Sequence, residues 1–167
     1  MIRCMLLVSR QGKVRLAKWY SAYDKKQQQL MIREICGKVL KRKQKLCNFL
    51  DYKDGKIIYK RYASLFFITF VDASDNELLH LQTIHHFVEA LDSYFLNVCE
   101  LDLIFNFHRA YYLLDELLLA GEVQETSQKK MLVALLTQDT MSSPEYEQDP
   151  QKQLALLQQH FQRSNLV

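Results

Sequence analysis

Glycine and proline are scarce in this sequence, with four of the first and two of the second among 167 residues. So few glycines hardly suffice for a nucleotide-phosphate cradle, and no GxGxxG, Walker-type or GxSxG segment occurs. Both prolines, Pro144 and Pro150, fall late in the chain, so a folded unit is expected to end shortly before them. Net charge is also small, at +3. A nucleic-acid binder would carry a denser basic footprint, whereas mild attraction to an anionic membrane or an acidic peptide stays open. No apolar run approaches the ~20 residues that cross a bilayer, so membrane association is expected to be peripheral, through a partner. The cysteines, Cys4, Cys36, Cys47 and Cys99, include no CxxC pair. Cys4 and Cys99 stand among apolar neighbours, and a reduced, cytosolic setting is the economical reading.

What the chain does have is an ordinary globular balance, 49% hydrophobic and 25% charged, on a length that suits one domain. Residues 2–8 and 14–20 read as strands joined by a turn in which Gly12 supplies backbone freedom. Strict alternation places Arg15 on one face with Lys13, Ala17 and Trp19. Asp24 is a candidate cap for a helix to about residue 40, with Leu30, Met31, Ile35 and Val39 as its stripe. After a basic stretch (Lys41, Arg42, Lys43, Lys45), Asp54-Gly55 signals a hairpin between residues 48–52 and 56–59. Residues 63–71, ASLFFITFV, are apolar on both faces and predict a central strand covered on both sides. From about residue 75 the period becomes helical, with Leu81, Ile84, Val88, Leu91 and Phe95 on one face. An apolar passage over 98–103 leads to a second helical repeat, Ile104, Phe107, Tyr111, Leu114 and Leu118, ended by Gly121. Thr126 or Ser127 caps a further helix to about residue 137. Residues 139–150 read as a linker and 151–163 as a short helix. The expected fold is α/β: an antiparallel sheet between helices over 1–138, with a C-terminal segment over 139–167.

Chemistry is hard to find. His80, His85, His86 and His108 lack HExxH spacing or paired cysteines, so surface or partner contacts are favoured over a metal. Asp102, Asp115 and Glu116 have no acid–base spacing and read as a solvated or interfacial face. No catalytic residue, metal or cofactor is expected. The basic run around Lys38 complements a helix C-terminus, with an acidic partner or phosphoinositide as the alternative. Residues alone lead to an α/β interaction domain.

Several segments resemble the sigma (small) subunits of clathrin adaptor complexes: SRQGKVRLAKWY, YKRYASLFF, DNELLHLQTIHHFVEALDSYF, NVCELDLIFNFHRAYYLLDE and GEVQETS, in register to about residue 136. The resemblance implies a longin-like fold with a five-stranded antiparallel sheet. It also implies pairing with a large adaptin within a heterotetramer and recognition of acidic dileucine signals, [DE]xxxL[LI], on cargo tails. By that resemblance Arg15 attracts the acidic residue. Ala63, Leu65, Val88, Asn97, Val98 and Leu103 form the leucine pocket, with Ala63 and Leu65 on one face of the central strand. Leu96 stands where the family usually has glycine or histidine, and Phe66 where tyrosine is usual. The VSRQGK, LCNF and YKRYASL segments are closer to the trans-Golgi/endosome type, with a gamma-type partner, whereas LAKWY, FVEA and TSQ are closer to the plasma-membrane type. The competing readings are another longin-type trafficking subunit, such as the coatomer small subunit, and an unrecognised enzyme.

Overall fold

The computed structural model describes residues 1–43 and 46–142. Its frame begins as the alternation demands. Strand β1 (Ile2–Ser9) turns at Gly12, whose φ of 85° lies in the left-handed region, into β2 (Val14–Trp19). The chain continues through α1 (Lys25–Val39), β3 (Phe49–Tyr52), β4 (Gly55–Tyr62) and β5 (Leu65–Asp72). The sheet is five-stranded and antiparallel in the order β2-β1-β5-β4-β3. Strand β5 lies at its centre because both its faces are apolar. Leu65, Phe67 and Val71 point into one buried cluster, and Phe66, Ile68 and Phe70 into the other. Thr69 is the polar exception, and its hydroxyl donates to the Ile58 carbonyl at 3.3 Å.

One sheet face is covered by α1. Asp24 accepts from the Gln27 amide at 2.7 Å while the Gln27 side chain accepts from the Asp24 N–H, a capping box that fixes the helix start. Met31, Ile35, Cys36 and Val39 face the sheet. Leu30, expected in that stripe, is 54% exposed, because it lies one helical step away from the Met31–Ile35 line.

The other face is covered by α2 (Glu77–Phe95), α4 (Phe107–Leu117) and α5 (Gln128–Ser142). Ile84, Phe87, Val88 and Leu91 of α2 pack on Phe67, Leu65 and Leu7 in one cluster. Two helical layers thus enclose an antiparallel sheet, and the longin-like architecture expected from the sequence is the one observed.

Three local expectations are corrected. The helix expected over 104–118 is two helices, α3 (Glu100–Phe105) and α4, separated at Asn106, whose φ of −120° and ψ of 37° leave the helical region. Asp102 accepts from the Cys99 N–H at 2.9 Å and starts α3 earlier than its apolar period suggests. As a result Ile104 and Phe107 are exposed, and Ala110, Leu113, Leu114 and Leu117 form the buried face. Second, Gly121 does not end a helix. With Ala120 it forms a turn of two positive-φ residues joining β6 (Leu118–Leu119) to β7 (Glu122–Val123). Third, Ala63 is not on β5. It occupies the β4–β5 turn at φ 49° and is exposed. Helix α5 runs through Ser142, four residues into the segment read as linker. The remainder of that segment and the helix expected over 151–163 lie outside the described residues. Among the described residues no helix is long and apolar enough to cross a membrane.

Candidate functional site

Leu65 at the start of β5, Val88 midway along α2 and Leu103 in α3 belong to one apolar cluster, and Val98 packs against it from the α2–α3 connection. Their exposures are 4%, 9% and 2% for Leu65, Val88 and Leu103, while Val98 is half-buried. Leu65, Val88 and Leu103 are thus buried in the core. The α2–α3 connection is held in an uncommon conformation, with Leu96 and Asn97 at φ 54° and 79°. Asp92 anchors that connection by accepting from the Val98 N–H at 3.0 Å. Asn97 itself is exposed beside Val98.

Arg15 reaches the same region by a device the sequence does not display. Leu7 pairs with Leu16 but Val8 with Val14, so Arg15 is the extra residue of a β-bulge. The bulge breaks the alternation expected to group Arg15 with Ala17 and Trp19. Those two pack on the α1 side, whereas the Arg15 guanidinium meets Glu100, the first residue of α3. Nε and one terminal nitrogen donate to the same carboxylate oxygen at 3.0 and 2.7 Å, with both side chains about three-quarters buried. Glu100 is the partner of Arg15 that sequence reasoning missed. Nothing in the spacing of residues 15 and 100 announces the pair.

Ala63 stands apart from this group. Its carbonyl accepts from Arg61 Nε at 3.0 Å, and it lines a basic cleft on the α1 side of the sheet. The expected sharing of one strand face by Ala63 and Leu65 is thus corrected: the positive-φ turn rotates Ala63 out of the strand. Two of the histidines are held by side-chain partners. His80 bonds Asp75 at 2.9 Å, and His85 bridges the Tyr62 hydroxyl at 3.1 Å and Glu89 at 3.1 Å. No cluster of metal-ligating side chains exists among the described residues. All four cysteines are free. Burial pushes the Cys4 thiol up to about 12, so it behaves as a small core hydrophobe, whereas Cys99 is exposed rather than apolar-packed.

The described residues thus form a sheet between helices, with Leu65, Val88 and Leu103 in one apolar cluster and Arg15 paired with Glu100 at the start of α3. The family described as the clathrin adaptor complex small chain matches residues 1–142. The AP-1 complex subunit sigma-2 of Dictyostelium discoideum is 61% identical over 137 residues, covering 82% of this chain and 89% of that one. The AP-1 complex subunit sigma-1A of Homo sapiens is 53% identical over 141 residues, covering 84% and 89%. A chain in a homology model of the full-length AP-3 complex, in a stretched open conformation, superposes with a TM-score of 0.69 at 30% identity, covering 85% of this chain and 95% of that one. This chain belongs to the clathrin adaptor complex small chain family. It is a trafficking subunit, part of a multi-subunit adaptor complex, and not an enzyme.

Proposed function

We propose that this chain is the sigma subunit of an AP-1-type adaptor complex, acting at the cytoplasmic face of trans-Golgi and endosomal membranes and on clathrin-coated vesicles. Its large partner is a gamma-type adaptin, and its ligands are acidic dileucine signals on cargo tails. The similarity to AP-1 sigma subunits supports the type of complex. The placement of Leu65, Val88, Val98 and Leu103 in or against one apolar cluster, with Arg15 of β2 meeting Glu100 at the start of α3, carries the ligand reading.

In this reading the two signal leucines enter beside Val98, toward the buried Val88 and Leu103. Burying both is worth roughly 3–6 kcal/mol before ordering costs. Asn97 stands at the rim, and Ala63 bounds the neighbouring turn. The acidic residue of the signal replaces Glu100 on Arg15, exchanging one carboxylate for another. The net gain is therefore small, on the order of 0.2–1 kcal/mol for a partly exposed pair. Its value lies in selecting an acidic position.

Val88 is too deeply packed for a clean test, because an aspartate there would also tax folding by several kcal/mol. Val98, half-buried on a connection, serves better. In the assembled complex, Val98→Ser is expected to weaken a labelled ExxxLL peptide by about tenfold or more. Arg15→Ser is expected to cost a few-fold to roughly tenfold and to flatten the salt dependence. Glu100→Gln, which frees Arg15, is expected to strengthen binding a few-fold. Unchanged affinities in all three variants would place the dileucine site elsewhere, and no binding by the wild-type complex would leave a trafficking subunit without dileucine recognition, as in the coatomer-like alternative.

A further inference from the structure

We infer that the basic cleft between the β1–β2 turn, the β4–β5 turn and the end of α1 receives an acidic stretch of polypeptide, carried on the same cargo tail whose leucines enter the apolar site. The inference rests on the ligand reading above but concerns the opposite face of the sheet. The cleft has a volume of about 690 Å³ and is lined by Arg10, Arg42, Lys43, Lys60 and Arg61. No carboxylate is among its described lining residues. Three separate segments bring these cations together. The Arg10 N–H donates to the Ser64 carbonyl at 2.8 Å, docking one turn on the other, and Arg42 and Lys43 follow α1.

Several cations elsewhere on this molecule are paired: Arg3, Arg15, Lys18, Lys53 and Lys56 each face a carboxylate. Among the described residues none of the five cleft cations has an acidic partner. Two of them are already oriented. Arg42 donates to the Tyr59 hydroxyl at 3.0 Å and the Cys47 carbonyl at 2.9 Å, and Arg61 is held by the Ala63 carbonyl and lies 5.7 Å over the Phe66 ring. Fixed guanidinium forks suit carboxylates or phosphorylated side chains, with less ordering cost than free chains.

A concave, partly apolar-floored cleft suits an extended chain better than a flat bilayer, which would meet a protruding basic face. Ala63 supplies the link to the signal site. It lines the cleft, and Leu65, two residues on, enters the apolar cluster behind the sheet. Passing around this end of a sheet about 10 Å thick takes only a few extended residues at roughly 3.3 Å each. An acidic block roughly five to ten residues from the leucine pair can therefore reach the cleft.

The test uses the full chain co-expressed with its large partner and three labelled peptides. One carries ExxxLL alone, and two add a four-glutamate block about seven residues before or after it. One block peptide is expected to bind about five- to tenfold tighter at low salt, with the gain lost at high salt. Lys43→Gln/Lys60→Gln should abolish that gain and leave the ExxxLL peptide unchanged. Arg10→Gln, on an exposed turn, repeats the measurement independently of α1. No gain from either block, or a gain indifferent to these substitutions, overturns the inference. Substitution-sensitive binding to phosphoinositide-containing vesicles without any peptide gain also overturns it, making the cleft a lipid site. A block peptide with its leucines changed to alanine separates the two proposals. If it binds through Lys43 and Lys60 while ExxxLL alone does not bind, the cleft stands and the dileucine reading falls.

Discussion

At the scale of single residues, backbone conformation explains features that side-chain chemistry does not. Leu96 closes α2 in the left-handed region at φ 54°, with its side chain 42% exposed. A non-glycine residue there is strained by roughly 1–2 kcal/mol. Little packing is lost on truncation, and glycine's extra unfolded-state entropy offsets part of the relief. Leu96→Gly is therefore expected to stabilise the chain by up to about 1 kcal/mol, raising Tm by about 2–4 °C in a thermal melt. A lower Tm would show that the exposed leucine packs on something outside this chain.

Among elements, the two-residue strands β6 and β7 matter more than their size suggests. Their turn carries the Gly121 carbonyl to the Ile2 N–H, at 2.9 Å, and so ties the helical layer to the start of β1. A Cβ on Gly121 would meet the Ile2 carbonyl oxygen at 2.2 Å, and φ there is +83°. Both the clash and the dihedral oppose any side chain. Gly121→Ala is expected to cost about 1–3 kcal/mol in urea unfolding. Were the residue merely a helix terminator, as the sequence suggests, asparagine would replace it with little loss. The close backbone approach forbids that exchange. A stable Gly121→Asn variant would contradict this account.

For the whole molecule, two surfaces set its behaviour. The outer side of α3 and the start of α4 expose Leu101, Phe105 and Phe107 at 60%, 74% and 54%. Apolar residues concentrated in this way mark an interface, and obligate interfaces often bury roughly 2,000 Å² or more. Phe105→Ser should leave the isolated chain's melting temperature nearly unchanged, reduce its aggregation and weaken co-purification with the large partner. Undiminished assembly would place the interface elsewhere. A second surface binds the sheet end together. Arg3 donates to Asp72 and Asp54 at 2.6 Å each, and holds both carboxyls below their ordinary 3.8. Carboxylates with depressed values stabilise the fold above the unfolded value and lose that contribution as pH falls through the folded one. Stability should be level from pH 7 to about 5 and fall below about pH 4. Asp72→Asn should flatten the acid limb of a Tm–pH profile. Parallel profiles would show that the pair contributes nothing.

Periodicity alone determined much of this protein. The doubly apolar 63–71 run could only be central, and the α2 stripe could only face a sheet. Asp54-Gly55 announced a hairpin, whose turn falls one residue earlier at Lys53-Asp54 because Gly55 already pairs with Tyr52. Local rules suffice where side-chain pattern and burial coincide. They fail where long-range packing resets them. A single extra residue opposite Leu7 and Val8 re-aims Arg15, and a bulge has no signature in the alternation it interrupts. The break at Asn106 divides one apolar repeat into two helices because Asp102 caps an earlier start. The positive-φ turn at Ala63 removes from the strand a residue that pattern assigns to it. Most of the candidate leucine site was legible, since its members are apolar and lie on predictable faces. Its burial was not, because that follows from tertiary packing, nor was the Glu100 carboxylate on Arg15, because those two residues lie 85 apart in the chain. The basic cleft is likewise a product of three segments meeting, each of which on its own is only a charged turn or helix end.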